Sequence, residues 1–413
     1  MWRGNWRSWE VLGQLRDAAR RAVLSGVFLA AIFWSASAHA GATLKFGDDQ
    51  SISIGLGLRG SFDATQDAAG THNNQWSKNF NLDNARIYLS GQVYPWLKAE
   101  FNTECVFCGN ASLQSFEVLD AIMKIEPSPY FNIWGGRVLV PADRVEMDGP
   151  FYGNVYQNFK TPFYSADFST HFGTGGAGVY NRDHGVNFWG NAEKFKYVVG
   201  IFNGLRGDAN ANDNPLYAAR IAYQFLGVED NPAYYTSSEY FGKAGDILTL
   251  GYALQYQEKG AGSPQYNSNL LAMSVDGLFE KPLEDVGVIT AEGEFKYFDD
   301  NYNPLAFSPP NSANNFGMFN GYAATGTLLY MLPDKTGPGT FQPYVRYTQI
   351  TPLHSINRDE FEFGLNYIMA GFNAKASLFY QYGDLATRSL TNFAPNVTGG
   401  NVSSINVGLQ IQI

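Results

Sequence analysis

The stretch NARIYLSGQVYPWLKAEFN, residues 84–102, consists of two alternating runs separated by the break Tyr94-Pro95-Trp96. In the first run Ala85, Ile87, Leu89 and Val93 share one parity, and Arg86, Tyr88 and Ser90 the other. In the second, Leu97, Ala99 and Phe101 alternate with Lys98, Glu100 and Asn102. A period of two is what a β-strand with one apolar face requires, because successive side chains point to opposite faces of the sheet. Arg86, Lys98 and Glu100 then lie on a single wet face. Whether that face meets bulk water or an enclosed lumen decides the architecture.

The pattern recurs along the chain. Ile52, Ile54, Leu56, Leu58 and Phe62 oppose Arg59, Ser53 and Ser61; Leu119, Ala121, Met123 and Ile125 oppose Asp120 and Lys124. Tyr217, Ala219, Ile221 and Tyr223 oppose Arg220, and Ile289, Ala291, Phe295 and Tyr297 oppose Glu292, Glu294 and Lys296. Val345 and Tyr347 flank Arg346, and the last run sets Ile405, Val407, Leu409, Ile411 and Ile413 against Asn406, Gln410 and Gln412. About sixteen such segments can be drawn by this criterion. The one over 131–140 is ambiguous, since Gly135-Gly136 could hide a bulge.

Connections alternate in length. Short breaks fall at 94–96, 127–129, 191–193, 281–282 and 370–371, and long polar loops at 63–79, 141–182, 299–319 and 384–401. One segment breaks the rule: 226–245 is long yet falls on the short side. Short turns at one end and long loops at the other, with an even strand count, are the marks of a transmembrane antiparallel β-barrel of the outer membrane, with short periplasmic turns and long extracellular loops. A soluble β-sandwich or propeller, including a carbohydrate-binding one, would instead turn the apolar faces inward and present a face rich in Lys and Glu to water. Here the polar set is Gly, Ser, Thr and Asn with isolated charges. Aromatics near strand ends, Phe80, Tyr88, Tyr94, Trp96, Tyr130, Trp134, Phe298 and Tyr302, read as interfacial girdles. The sequence therefore predicts an all-β barrel.

Composition agrees. Only 16% of residues are charged, 15% are aromatic, and there are 44 glycines, which suits strands and tight turns better than a helix bundle. Residues 1–40 read as a cleavable secretory signal: Arg16, Arg20 and Arg21 precede the apolar run 22–34, and Ala38-His39-Ala40 supplies small residues for cleavage. That run is too short for a comfortable membrane anchor, the other reading of it. The barrel domain is then 41–413. Removing the leader's five arginines and its Glu10 and Asp17 takes the formal charge from −10 to −13, which argues against nucleic acid as a partner.

Arg182-Asp183-His184-Gly185-Val186-Asn187-Phe188-Trp189-Gly190, followed by Lys194 to Gly204 with its Phe202-Asn203-Gly204, resembles the phosphate-selective porin O and P family. The early strand pair at 84–102, the stretch LDAIMKIEPSPYFNIWGGRVLVP and AARIAYQF are similar to it as well, so the resemblance runs from about Ser51 to the end. It implies a sixteen-stranded, homotrimeric outer-membrane porin of a Gram-negative bacterium, bounded by lipid and lipopolysaccharide, with a long third loop folded into the pore. No cofactor is implied.

The wet parity carries Arg59, Arg86, Lys98, Lys124, Arg220, Lys296, Arg346 and Lys375 against Glu100, Glu104, Asp120, Asp276, Glu292, Glu294 and Glu362. These nearly cancel, so passive diffusion of small hydrophilic solutes or ions is expected before anion or phosphate selectivity. Loop 141–182 carries Asp143, Arg144, Glu146 and Asp148. Folded inward, its acids would face Arg86, Lys98, Arg220 and Arg346 across a transverse field, and the narrowest ring of charges would set selectivity. Cys105 and Cys108 read as a local disulfide of an oxidising compartment. A reactive or metal-binding pair is the other reading, and Gly109 after the second Cys lacks the ligand of a haem motif. An outer-membrane hydrolase is also weighed, but His72, His171, His184 and His354 fall in or near loops at no spacing that marks a metal site or triad.

Overall fold

In the computed structural model the described residues are 41–106, 108, 115–162, 181–207, 210–262, 264–299, 320–353, 356–385 and 400–413. Residues 1–40, expected from sequence to be an export signal, lie outside them with His171, His354 and Tyr302, as do large parts of the loops over 141–182, 299–319 and 384–401. The strands are β1 (Ala42–Lys45), β2 (Ser51–Thr65), β3 (Asn79–Tyr94), β4 (Leu97–Val106), β5 (Ser115–Ile125), β6 (Asn132–Leu139), β7 (Arg182–Ala192), β8 (Phe195–Phe202) and β9 (Leu216–Gln224). They continue as β10 (Ile247–Gly262), β11 (Asn267–Pro282), β12 (Val288–Asp299), β13 (Gly321–Met331), β14 (Lys335–Thr336), β15 (Gly339–Pro352), β16 (Arg358–Ile368), β17 (Ala374–Gly383) and β18 (Val402–Gln412).

Every long strand pairs antiparallel with its neighbours in sequence, and β18 returns to β2 in the register Ser404↔Thr65 to Gln412↔Gly57. The result is a closed barrel of sixteen strands. β1 and β14 lie outside that count: β14 extends the turn before β15, and β1 pairs with the start of β2. β1 continues the line of β18, and Ile413, just past the end of β18, exchanges two backbone hydrogen bonds of 2.8 Å with Leu56. Closure leaves no open sheet edge, the condition for a β-structure to cross lipid.

The faces are inverted relative to a soluble protein. On β18, Leu409 and Ile411 are 48% exposed, whereas Gln410 between them is 1% exposed. Val407, Val345, Phe361, Phe363 and Leu250 are also exposed on the outside, while Arg59, Arg220, Glu362, Asn366 and Lys375 are buried inside. A continuous apolar surface of this kind is far larger than a soluble monomer presents to water.

Bulges reset the alternation in places. Asn102 pairs with Asp120 but Thr103 with Val118, so Leu119 is an extra residue; Phe116 and Val118 point out and Leu119 is buried, against the single face read from sequence. β6 itself has no bulge: it pairs without a register shift on both sides. Its Gly136 sits at φ 126°, where a Cβ would lie 2.1 Å from the Ala121 carbonyl oxygen. Tyr88, Trp134 and Phe298 depart from the expected girdle. Trp134 and Phe298 are buried and Tyr88 is half-buried against the Phe151 ring, because their parity is inward. Tyr94, Trp96 and Tyr130 are exposed at the short-turn end, with the rings of Tyr94 and Trp96 stacked at 5.7 Å.

Candidate functional site

The barrel interior is occupied from both ends. From the long-loop end, residues 140–162 turn inward after β6. A short helix, α1 (Arg144–Asp148), is capped by Asp143, whose carboxylate accepts the Glu146 N–H at 3.1 Å, and ends at Gly149 with φ 66°. Beyond it the backbone turns and bends without a partner strand, so its carbonyls need donors from elsewhere. The wall supplies them one by one. Gln410 donates to Phe151 O at 2.8 Å, Lys375 to Gly153 O at 2.7 Å, Asn366 to Asn154 O at 2.9 Å and Arg346 to Gln157 O at 2.6 Å. Arg59 donates to Tyr156 O and lies 4.2 Å from the Tyr156 ring centroid. Several inward cations are thus fastenings for the loop.

From the short-turn end comes the segment after β9, the one whose length broke the alternation. It meets α1 inside the barrel. Arg144 donates to both oxygens of Glu229 at 2.7 and 3.1 Å and to Ser237 O at 2.7 Å, and Thr236 donates back to Arg144 O at 3.0 Å. Burial would raise the Glu229 carboxyl, but the Arg144 guanidinium outweighs it and holds the group down at about 2. Ser238 donates to Asp148 and, as a second contact, reaches Glu292 at 2.9 Å. Tyr234 donates to Leu139 O at 3.0 Å, accepts from Asn187 at 2.8 Å, and packs on Trp134 with centroids 5.3 Å apart. With Trp189, Phe202, Leu216, Val138 and Leu139 these rings make a dry core that fills one side of the lumen.

The charged residues singled out from sequence lie in this interior, but the pairing differs from the expected field. Asp143 and Glu146 meet Lys296 at 2.7 and 3.0 Å instead of Arg86, Lys98, Arg220 or Arg346. Those four cations already have wall or loop partners: Arg86 with Glu104, Lys98 with Glu126 at 2.7 Å, Arg220 bidentate with Asp276, and Arg346 with Glu362. Glu100 pairs with Lys124, and Asp120 takes Arg182 at 3.0 Å and Asn102 at 2.9 Å. Glu292 accepts from Asn154 at 2.6 Å, and Glu294 from Thr161 at 2.7 Å. Parity gives the direction of a strand side chain; which neighbour it meets depends on loops that carry no period. Glu229 and Glu239, missed by that reading, sit in the segment whose anomalous length was their only signal.

Among the described residues, two sizeable cavities lie beside these fillings. One, of about 260 Å³, lies among Arg86, Tyr88, Lys124, Asp148, Arg182 and Tyr235. The second, of about 480 Å³, lies nearer the short-turn end among Ser51, Lys98, Lys124, Glu126, Trp134 and Pro232. Both lie against the wall of β3–β5 and are lined by charged and aromatic side chains together. Elsewhere, Cys105 and Cys108 are joined by a disulfide with a Cα–Cα distance of 5.6 Å and are buried with Ala85 on the outer face of β3. His72 and His184 are exposed and distant from one another in the chain.

Neither a protein-family model nor a curated protein matches the sequence. Solved structures do match over nearly the whole barrel. An anion-selective porin from Comamonas acidovorans aligns with a TM-score of 0.54 at 13% identity, over 88% of this chain and 100% of that one. Salmonella typhi OmpF in complex with daunomycin gives 0.52 at 11%, over 90% and 100%. In-vitro folded OmpT, an outer membrane protein of Vibrio cholerae in trimer form, gives 0.51 at 11%, over 89% and 100%. At such identities the likeness is one of fold: a closed sixteen-strand outer-membrane-type barrel.

Proposed function

We propose that the chain is an outer-membrane porin, a passive channel for small hydrophilic solutes or ions. The observation that carries this is the inverted barrel: an apolar exterior around a charged, hydrogen-bonded interior with a loop folded into it and open space left beside that loop. Residues 1–40 would direct export and be removed, the exterior would contact lipid and lipopolysaccharide, and barrels would associate as trimers, as the Vibrio cholerae OmpT neighbour in trimer form does. Arg86, Lys98, Glu100, Asp120, Lys124 and Asp148, which line the cavities, would be the first charges a solute meets in the constriction. Anion or phosphate selectivity is the finer alternative suggested by the family resemblance. Against it, the cations just described lie beside carboxylates, so the lumen offers little net attraction to anions.

Insertion of the purified, detergent-extracted protein into planar bilayers tests the reading. Discrete conductance steps are expected. Silent bilayers, together with peptidase or lipase activity of the same preparation, would replace the channel by a barrel hydrolase.

A further inference from the structure

The segment between β9 and β10 is longer than its hairpin needs. Beyond the last strand pair, Phe225 N–H bonds to Leu248 O and Gly227 N–H to Asp246 O, both at 2.7 Å. A two-residue turn could close the chain at that point. Residues 228–245 instead re-enter the lumen and dock on α1 through Arg144 and Asp148 and on β12 through Glu292. Loop 140–162 enters from the other end, so the two fillings meet, and the two cavities described above lie beside them against β3–β5.

Two residues, Lys124 and Pro232, line both cavities and so mark the neck between them. Pro232 is exposed there. Lys124 is held on the opposite side by its ion pair with Glu100 and by the Trp134 ring, whose centroid is 3.8 Å from its ammonium nitrogen.

Resting on the channel reading above, we propose that residues 228–245 form a second constriction element. It displaces the solute path from the barrel axis and narrows it between Pro232 and Lys124, which makes Lys124 a specificity-determining residue for small charged solutes. A fixed charge at the narrowest point weighs on selectivity more than the same charge in a wide vestibule. Lys124 is fixed by two partners, and any ion in the neck passes well within the Debye length of about 10 Å at 0.1 M salt.

The test is made on the full-length protein in planar bilayers. If the unmodified protein does not conduct, the channel reading fails and this inference with it. Given conductance, a Pro232→Cys channel is treated with a cationic methanethiosulfonate reagent, alongside Thr325→Cys, half-buried on the inward parity of β13 across the lumen. Loss of most of the current at Pro232→Cys, with little change at Thr325→Cys, is the expected result. Indifference at Pro232→Cys, with or without block at Thr325→Cys, overturns the proposal while leaving the channel intact. Lys124→Gln is expected to shift the reversal potential in a salt gradient toward cations. Replacing 228–245 by Asn-Gly is expected to raise conductance several-fold and to shrink the Lys124→Gln shift. A shortened channel that conducts like the parent overturns the constriction role; if that variant does not assemble, the cysteine comparison decides alone.

Discussion

At the scale of single residues, the interior is governed by partners more than by charge. Arg144 is 1% exposed and satisfies Glu229, the Ser237 carbonyl and, at 3.6 Å, Asp276. Removing one member of such a pair leaves a buried charge alone, at a cost of about 3–5 kcal/mol. Arg144→Leu is therefore expected to loosen the junction of the two inward segments, read as faster amide hydrogen exchange over 226–246. Arg144→Leu with Glu229→Leu should recover part of the protection, since the orphaned carboxylate is gone. Glu239 gives a pH-dependent counterpart. Burial pushes its carboxyl up to about 8, against the attraction of Lys375, while its side chain accepts from Gln342 at 2.6 Å. The folded state thus holds this proton more tightly than the unfolded chain. Its stabilising hold is complete below the ordinary carboxylate range and is lost as pH rises through about 8. Protease sensitivity of the segment should climb across that window, and Glu239→Gln should flatten the climb; an equal climb in the variant assigns it to another group. None of these pairings was legible in the sequence, because alternation says that Arg144's neighbours are wet and not which of them lies across the lumen.

At the scale of elements, strands were legible wherever the alternation ran unbroken, as in 84–102, where Pro95 and Trp96 do make the turn between β3 and β4. It was obscured by bulges, because one inserted residue reverses the parity of everything beyond it. Leu119 was misplaced for that reason. Gly135-Gly136 misled in the opposite sense: the pair reads as a bulge, yet the strand is regular and glycine is there for close approach. With φ at 126° and the Ala121 oxygen 2.1 Å from a would-be Cβ, Gly136 admits no side chain unless β5 and β6 separate. The backbone conformation alone would cost a residue with a side chain about 1–3 kcal/mol. Gly136→Val is expected to impair barrel closure, seen as loss of the compact, fast-migrating form in unheated gel samples. Gly326→Ala, where a Cβ meets nothing within 4 Å, is the control that should keep it.

At the scale of the whole molecule, the sequence reading was strongest where physics repeats itself. Sixteen strands each state that one face is dry, and closure follows because an unpaired edge in lipid would leave backbone groups unsatisfied. The filling of the barrel was the least legible part, since loops in a lumen are stabilised by single hydrogen bonds to distant strands, such as Lys375 to Gly153 or Gln410 to Phe151. Those fastenings bear on what a channel of this kind selects. A cation counted by parity contributes to ion selectivity only to the extent that its field is not cancelled by a neighbouring carboxylate. Here Arg86, Lys98, Lys124, Arg182, Arg220, Lys296 and Arg346 each have one within ion-pair distance. Over distances beyond about 10 Å at 0.1 M salt such pairs act as dipoles and are screened. The channel is accordingly expected to be weakly selective, with a reversal potential near zero in a tenfold potassium chloride gradient. Breaking one pair on the cavity wall should unmask the charge left behind: Glu100→Gln should move the potential toward chloride and Lys124→Gln toward potassium, by opposite signs and comparable size. A parent channel already close to the chloride limit, and insensitive to Glu100→Gln, would mean that its selectivity is set by cations outside these pairs and would favour the anion-selective alternative.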